Sequence, residues 1–243
     1  MITTDGKKQK LDMVIRILYP RRCPICQEII VGNGYVCSAC KKELPYIKEP
    51  RCKKCGKSLD EDVQEYCFDC AKGKHVFDKG VAVWRYTKAM KQSIHRFKYD
   101  NKREYAVFFV EEVIKHYGEW IGSMQVDAVI PVPLHRSKQR MRGFNQAELI
   151  AKGIGKALDL PVETKYVERY RKTKVQNVLN DTERKNNVKK AFKITCNDVK
   201  LKRILLVDDI YTTGSTIDAI AEVLKTAGAE QVYFCCLCAG RGY

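Results

Sequence analysis

Two adjacent acidic residues followed by a hydroxyl-rich turn form the stretch of this sequence best suited to chemistry. Asp208 and Asp209 come directly after the apolar run Ile204–Val207 and precede the turn Thr212–Thr216. Four apolar residues bounded by charge indicate a short strand buried on both faces, as in a parallel sheet. The apolar residues after the turn recur at helical spacing, so the predicted order is strand, polar loop and helix. In open α/β sheets, ligands bind at such strand ends.

The residue types in this stretch suit a phosphorylated sugar. A turn that offers backbone N–H groups and hydroxyls at a helix N-terminus suits a phosphate monoester. Its residues are Thr212, Thr213, Gly214, Ser215 and Thr216. The two carboxylates repel one another unless a partner is present. Vicinal sugar hydroxyls would donate to them, and a hydrated divalent cation would relieve the repulsion, so a ribose with a free 2′,3′-diol and a 5′-phosphate fits both halves.

The acidic pair has three other interpretations. Receiver domains also carry acids at a strand end, but they need most of a domain afterwards, and only the last 34 of the 243 residues follow Asp209. A Walker B strand needs a partner G-x-x-x-x-G-K-[ST] loop, which the sequence lacks. The third interpretation is a purely structural acidic turn.

Eight of the twelve cysteines fall into four C-x-x-C pairs. Each pair brings two sulfurs to one metal ion, so two pairs supply the four thiolates of a tetrahedral structural zinc site. Disulfides are the alternative, but they are rare in the cytosolic setting expected here, and redox pairs rarely occur four in a row. We predict about two zinc ions per chain, with the pairs used sequentially or interleaved. The predicted ligands are Cys23, Cys26, Cys37, Cys40, Cys52, Cys55, Cys67 and Cys70.

Length, hydropathy and charge bound the class of protein. A chain of 243 residues with 45% hydrophobic residues suits one medium domain and one small one. No apolar run is long enough to span a membrane and no signal peptide is recognisable, so we expect a cytoplasmic protein without membrane insertion. The formal net charge of +16 predicts attraction to polyanions, with a solvated basic surface as the alternative.

A second candidate loop follows the strand predicted around Val129. Pro131 and Pro133 prevent helix continuation and fix the loop. The residues that follow this loop, as far as Gln146, include several cations and no acid. A rigid loop at a strand end beside guanidinium groups suits pyrophosphate, and a basic surface loop is the alternative. The loop residues are Val132, Pro133, Leu134 and His135, and the nearby candidate cations are Arg140 and Arg142.

Basic and aromatic residues alternate at the end of the helix predicted to contain Met90 and Ile94. Such interleaving suits base stacking combined with phosphate neutralisation on a single-stranded nucleic acid. Alternatively, the phenylalanine belongs to the core and the bases are a solvated face. The residues concerned are Arg96, Phe97, Lys98 and Tyr99.

The segment Leu205–Ile217 resembles the phosphoribosyl-pyrophosphate (PRPP) signature of type I phosphoribosyltransferases. The resemblance implies that the two acids bind the ribose hydroxyls, that the loop holds the 5′-phosphate and that magnesium binds with PRPP. It implies a Rossmann-like α/β fold with an open, mostly parallel sheet. It also implies a mobile lid in the basic segment after residue 170, with a solvated loop as the alternative. The candidate lid cations are Arg171, Lys174 and Arg184.

From about residue 11 to 241 the chain resembles the ComF family of competence-associated proteins. The shared features are the C-x-x-C-rich N-terminus, Pro131–Leu134, Arg142–Gln146, the stretch from Gln176 to Asn187 and the PRPP motif. The resemblance implies an N-terminal helix or extension over residues 1–22, a zinc-ribbon-like module over 23–75 and a phosphoribosyltransferase-like domain over 76–243. It implies binding of PRPP and single-stranded DNA in natural transformation, with a competence helicase or uptake proteins as candidate partners.

Three functions fit these features. The first is a competence protein that binds PRPP and single-stranded DNA. The second is a phosphoribosyltransferase that moves ribose-5-phosphate from PRPP to an acceptor, and the third is a PRPP-sensing regulator without catalysis. No segment resembles the hood that selects a purine or pyrimidine, so the sequence specifies no acceptor and leaves enzymatic activity open.

Overall fold

The structure is a computed structural model that describes residues 20–60, 63–73, 75–171, 191–195 and 200–240. The chain divides into two compact units, Met1–Leu44 and Pro45–Tyr243. The domain boundary predicted after residue 75 stays a prediction. Most of the predicted N-terminal extension over residues 1–22 lies outside the described residues.

In the smaller unit, a tight turn carries the first cysteine pair. The amide of Cys23 donates to the carbonyl of Glu28 at 2.8 Å, and Gln27 adopts a φ of 73° inside the turn. The second pair begins helix α1 (Ser38–Lys42), where the sulfur of Cys37 accepts a hydrogen bond from the amide of Cys40 at 3.4 Å. Each cysteine pair is thus held by its own local hydrogen bonds.

The larger unit repeats this arrangement and packs it onto a strand. The amide of Cys52 donates to the carbonyl of Lys57 at 2.8 Å, and the fourth pair begins helix α2 (Phe68–Ala71). Gly56 has a φ of 70°, and a Cβ there would lie 2.9 Å from the carbonyl oxygen of Gly80 in strand β1 (Lys79–Arg85). The turn therefore needs glycine both for its backbone conformation and for its close approach to the strand.

A four-stranded parallel sheet forms the centre of the larger unit, with the order β1-β6-β5-β2. Its other strands are β2 (Ala128–Pro131), β5 (Arg203–Tyr211) and β6 (Gln231–Ala239). Nearly every residue of these strands is buried, which explains their continuous apolar runs and confirms the predicted parallel sheet. Strands β3 (Val167–Arg169) and β4 (Phe192–Ile194) form a separate antiparallel pair.

Helices cover the sheet and connect its strands. They are α3 (Lys88–Tyr99), α4 (Tyr105–Ser123), α5 (Arg136–Arg142), α6 (Gln146–Leu158) and α7 (Ser215–Thr226). In the described parts of the chain, no helix combines the length and apolar character that crossing a membrane requires.

Candidate functional site

The acidic pair lies within the last part of β5 rather than after it. Asp208 is paired in register with Cys236, and Asp209 is only 9% exposed. The amide of Asp209 donates to Oδ1 of Asp208 at 2.8 Å. Burial and the neighbouring charge of Asp209 raise the pKa of Asp208 to about 7. A carboxyl with this pKa changes charge near neutrality.

The predicted phosphate-binding turn is exposed at its threonines, and its glycine packs against neighbouring side chains. Thr212 and Thr213 are exposed, whereas Gly214 is buried. Gly214 has a φ of 79°, and a Cβ there would lie 2.7 Å from Oη of Tyr211 and 2.9 Å from Cε1 of His75. Helix α7 begins at the next residue, Ser215, so the turn presents hydroxyls and the helix N-terminus together.

The predicted pyrophosphate loop follows β2, the strand beside β5. Pro131 is paired with Val207, and the amide of Val132 donates to the carbonyl of Val207 at 2.9 Å. The carbonyl of Val132 accepts from Nδ2 of Asn145 at 3.0 Å. Parallel strands end at the same edge, so the loop and the acidic pair share one side of the sheet. The loop residues after Val132 are Pro133, Leu134 and His135, each partly exposed.

The cysteines form two four-sulfur clusters built from sequential pairs. One contains Cys23, Cys26, Cys37 and Cys40, and the other contains Cys52, Cys55, Cys67 and Cys70. Within each cluster the sulfurs lie within 4.8 Å of one another; the sulfurs of Cys26 and Cys37 are 3.7 Å apart, and those of Cys55 and Cys67 are 3.6 Å apart. A tetrahedral zinc site with Zn–S bonds of about 2.3 Å separates its sulfurs by about 3.8 Å. Both clusters fit zinc, and of the two pairing schemes left open by the sequence the structure shows the sequential one.

Comparison with known proteins identifies both parts of the chain. A double zinc ribbon domain matches residues 14–71, and a phosphoribosyl transferase domain matches residues 141–243. Competence protein F of Haemophilus influenzae is 30% identical over 222 residues, which cover 87% of this chain and 93% of that protein. The chain belongs to the ComF family.

Other relatives align with this ComF-family chain over most of the length of both proteins. Competence protein ComFC of Streptococcus pneumoniae is 32% identical, over 82% of this chain and 86% of the relative. The DNA utilization protein YhgH of Escherichia coli K12 is 30% identical, over 90% and 97% respectively. A purine phosphoribosyltransferase from Pyrococcus horikoshii superposes with a TM-score of 0.35 at 18% identity, over 54% of this chain and 73% of that one. The fold assignment rests on the family models and the parallel sheet.

One cation contacts the acidic pair of this ComF-family chain, and two more interact with it electrostatically. Nζ of Lys98 lies 2.5 Å from Oδ2 of Asp209, and both side chains are largely buried. Burial lowers the pKa of Arg169, and the negative charge of Asp208 opposes this shift. Burial and then the positive charges of Arg169 and its neighbours lower the pKa of Lys138. Three cations thus accompany two acids, a charge balance suited to an anionic ligand.

No sequence pattern predicts these three cations as members of the acidic site. Lys98 is a nucleic-acid candidate, Lys138 belongs to the basic run after the proline-containing loop, and no motif includes Arg169. The basic run was the one available signal for Lys138. Nothing in the spacing of the sequence links Lys98 or Arg169 to Asp208.

Arg142, a predicted pyrophosphate cation, connects two helices. Its guanidinium donates to Oη of Tyr99 and to Oε1 of Gln146, each at 2.8 Å, and lies 4.7 Å from the centre of the Tyr99 ring. Through these two hydrogen bonds Arg142 ties the end of α3 to α6, and its contact with pyrophosphate stays a prediction. Arg140 is exposed, and the guanidinium of Arg171 lies 5.4 Å from the Tyr170 ring. Lys174 and Arg184 lie outside the described residues.

The four nucleic-acid candidates at the end of α3 have different environments. Phe97 is fully buried and packs against the rings of Phe109 at 5.2 Å and Phe144 at 5.9 Å. Its proposed role in base stacking is corrected, because a buried ring offers no face to a base. Tyr99 is 49% exposed and retains that option. Arg96 lies in the last turn of α3 and is partly exposed.

A buried hydrogen-bonded contact fixes the helix that follows the predicted phosphate-binding turn. Nδ1 of His75 lies 2.7 Å from Oδ2 of Asp218, and the amide of Val76 donates to Oδ1 of Asp218 at 2.8 Å. His75 also stacks on Phe77 with a centroid distance of 4.8 Å. The segment after the second cysteine cluster therefore holds the first turn of α7, a contact that no local motif predicted.

Proposed function

We propose that this protein binds PRPP beside the carboxyl ends of β2 and β5 and acts on single-stranded DNA during DNA uptake, in the cytoplasm. The observation that carries the proposal is the meeting of an acidic pair, a hydroxyl-rich helix N-terminus, a proline-fixed loop and three cations at one edge of a parallel sheet. Each part suits a different group of PRPP. The match to a phosphoribosyl transferase domain supports the same ligand.

Each part of the site has an expected role. Asp208 and Asp209 accept hydrogen bonds from the ribose hydroxyls, and the turn Thr212–Thr216 holds the 5′-phosphate. The loop Val132–His135 and the cations around the acids receive the pyrophosphate. Among the described residues, only the cysteines form groups of three or more that could hold a metal ion. Magnesium would therefore enter with the oxygens of PRPP, and when bound it would neutralise pyrophosphate charge.

Support for single-stranded DNA comes from charge and from exposed aromatic rings. The formal net charge is +16. Tyr99 is 49% exposed between His95 at 4.7 Å and the guanidinium of Arg142, and Tyr170 is 42% exposed beside Arg171. Aromatic rings among cations stack bases and neutralise phosphates. Relatives named competence and DNA utilization proteins support the same role and make competence helicase or uptake proteins candidate partners.

A binding experiment tests the PRPP site. The double variant Asp208→Asn, Asp209→Asn should weaken PRPP binding by about 100-fold or more, because each lost carboxylate removes charge-assisted hydrogen bonds. Isothermal titration calorimetry measures the affinity, and a thermal melt establishes that the fold is kept. Asp60→Asn, in the cysteine-rich segment, is the control for loss of an acidic charge. Unchanged affinity in the double variant would refute the site.

A second experiment tests the DNA role. Fluorescence anisotropy with a labelled single-stranded oligonucleotide should show binding that weakens steeply as salt rises, since each neutralised phosphate releases counterions. Tyr99→Ala should weaken binding by about 1–3 kcal/mol if a base stacks there. Tyr35→Ala, in the smaller unit, is the aromatic control. A flat salt response would contradict a groove that follows the phosphates.

Transfer is a second candidate function, favoured by the cations near the acidic pair, which in our proposal receive the pyrophosphate. In that reaction the bond between C1 of the ribose and the pyrophosphate oxygen breaks, a bond to an acceptor nucleophile forms, and pyrophosphate leaves with the electron pair. Release of pyrophosphate from PRPP should be measured with magnesium, with and without single-stranded DNA and a panel of bases. Turnover would establish a phosphoribosyltransferase, whereas binding without turnover would favour a competence protein or a PRPP sensor.

A further inference from the structure

Lys98 is the side chain in closest contact with the acidic pair. Its Nζ lies 2.5 Å from Oδ2 of Asp209, and the two side chains are 16% and 12% exposed. An ion pair this well shielded is not one of the solvated surface pairs that contribute little. Its charge also lowers the pKa of Asp208, against the larger effects of burial and Asp209. Lys98 thus acts on both carboxylates.

The end of α3 is built so that Lys98 has little freedom. The preceding residue, Phe97, is anchored among the rings of the core. The following residue, Tyr99, accepts a hydrogen bond from Arg142 at 2.8 Å and carries its guanidinium on the ring face. Arg142 also donates to Gln146, so the last turn of α3 is tied to α6. This arrangement holds the lysine towards the acids before any ligand binds.

The ammonium of Lys98 has donors beyond those that Asp209 uses. A lysine ammonium offers three N–H groups and no acceptor. One is directed to Asp209, which leaves two for oxygens of a ligand. In the described parts of the chain, Asp208 and Asp209 belong to no group of three or more metal-ligating side chains. A divalent cation would therefore find an incomplete protein site here, while Lys98 already supplies a fixed positive charge.

We propose that Lys98 is a ligand-contacting residue of this site, which holds Asp209 in place for the ribose hydroxyls, donates to a pyrophosphate oxygen and makes PRPP binding less dependent on magnesium. The inference rests on the proposed binding of PRPP and adds a specific residue and a specific dependence on metal. It differs from a simpler role in which Lys98 only neutralises Asp209. In that simpler role the lysine competes with the ligand, and its removal strengthens binding whenever magnesium is present.

The test measures PRPP affinity by calorimetry over a range of free magnesium, from none in EDTA to saturation. In EDTA, Lys98→Met should bind PRPP about 10- to 100-fold more weakly than wild type, as expected for loss of hydrogen bonds to charged groups. Saturating magnesium should recover part of this loss, so the variant should depend more steeply on magnesium than wild type. Lys98→Arg keeps the charge and should retain most of the magnesium-independent affinity.

Lys91→Met is the matched control, because Lys91 is exposed on the same helix and the substitution changes the net charge equally. It should leave the magnesium dependence unchanged. Thermal melts establish that each variant is folded, and Lys98→Gln takes the place of Lys98→Met if the methionine variant does not fold. If Lys98→Met binds PRPP as tightly as wild type, or more tightly, at every magnesium concentration, the proposed role of Lys98 is overturned, whereas the proposed PRPP site is not. Absence of PRPP binding by the wild-type protein would overturn the proposed function as well.

Discussion

The two four-cysteine clusters share a ligand pattern but have different surroundings. In the first, Cys23 is buried, Cys26 is exposed and the other two are partly exposed. In the second, all four cysteines are buried and belong to the hydrophobic core of the larger unit. Four thiolates leave no open coordination position, so both sites are structural. One zinc ribbon therefore belongs to a small unit of its own, whereas the other is part of the unit that carries the proposed ligand site.

Contacts lead from the second cluster to the turn Thr212–Thr216, the proposed phosphate-binding turn. Lys57 is buried, pairs with Asp69 at 3.1 Å and lies 5.4 Å from the centre of the Tyr211 ring. Burial first, and then the negative charges of Cys55 and nearby thiolates, raise the pKa of Tyr211. Tyr211 in turn lies against Gly214. Loss of the second zinc is therefore expected to disturb the turn, and loss of the first is not.

The largest effect is expected from Cys55→Ser. The Cys55 sulfur is fully buried, and a serine cannot complete a four-thiolate site, so zinc should fall from about two ions per chain to about one. The larger unit should lose more than about 4 kcal/mol of stability, because loss of a structural metal is among the most destabilising changes. Metal analysis, urea unfolding and PRPP calorimetry measure these outcomes. Retention of full PRPP affinity would contradict the coupling between this zinc and the turn.

A smaller effect is expected from Gly214→Ala. The substitution places a Cβ 2.7 Å from Oη of Tyr211 at a φ of 79°. The turn must shift, and misplacement by about 1 Å can weaken recognition by about 100-fold. The control is Gly32→Ala, since Gly32 has a φ of 94° with nothing within 4 Å of a Cβ. Calorimetry should show a large loss of PRPP affinity for Gly214→Ala only, with both zinc ions kept. Equal affinities for the two variants would show that the turn does not hold the phosphate.

The pH dependence of PRPP affinity and of the free energy of unfolding should come from the acidic pair rather than from either cysteine cluster. Asp208 has a pKa of about 7, and its carboxylate form is the one that accepts from the ribose hydroxyls. As the pH is raised towards 7, PRPP affinity should therefore increase by up to about tenfold per pH unit, and above pH 7 it should level off. The folded state keeps a proton that the unfolded chain releases, so the free energy of unfolding should fall as pH rises from about 4 to about 7. Calorimetry and unfolding over this range test both signs. Asp208→Asn should make the free energy of unfolding depend less on pH over this range. An unaltered pH dependence would show that Asp208 is not its source.

The smallest effect is expected from Cys26→Ser, which disrupts only the first cluster. Cys26 is exposed, and its unit, Met1–Leu44, is separate from the one that carries the acidic pair. One zinc should be lost, while PRPP affinity stays within about twofold of wild type, because local stability need not be shared across a structure. The same metal analysis and calorimetry apply. A loss of affinity as large as that of Cys55→Ser would erase the distinction between the two clusters.

Much of the fold and part of the site could be predicted from local patterns. The strand that contains Asp208, the turn after it and the helix after the turn follow one another along the chain. The spacing of their apolar residues and the run of hydroxyl-bearing residues can therefore be recognised one after the other in the sequence. The zinc ligands were predictable because each C-x-x-C pair folds by hydrogen bonds within its own turn. The role of Phe97 was not predictable, because alternating basic and aromatic residues fit a core helix and a binding surface equally well.

Residue types and local spacing are enough to specify the available chemistry: four-thiolate zinc sites, an acidic pair before a phosphate-suited turn, and a basic chain. Which of these groups meet depends on the tertiary fold. Lys98 reaches Asp209, and His75 holds Asp218, which lies 143 residues further along the chain. Tertiary packing also made one cysteine cluster part of the core and left the other partly exposed. The physical reason is that such contacts depend on strand order and packing across the sheet, which no local spacing encodes.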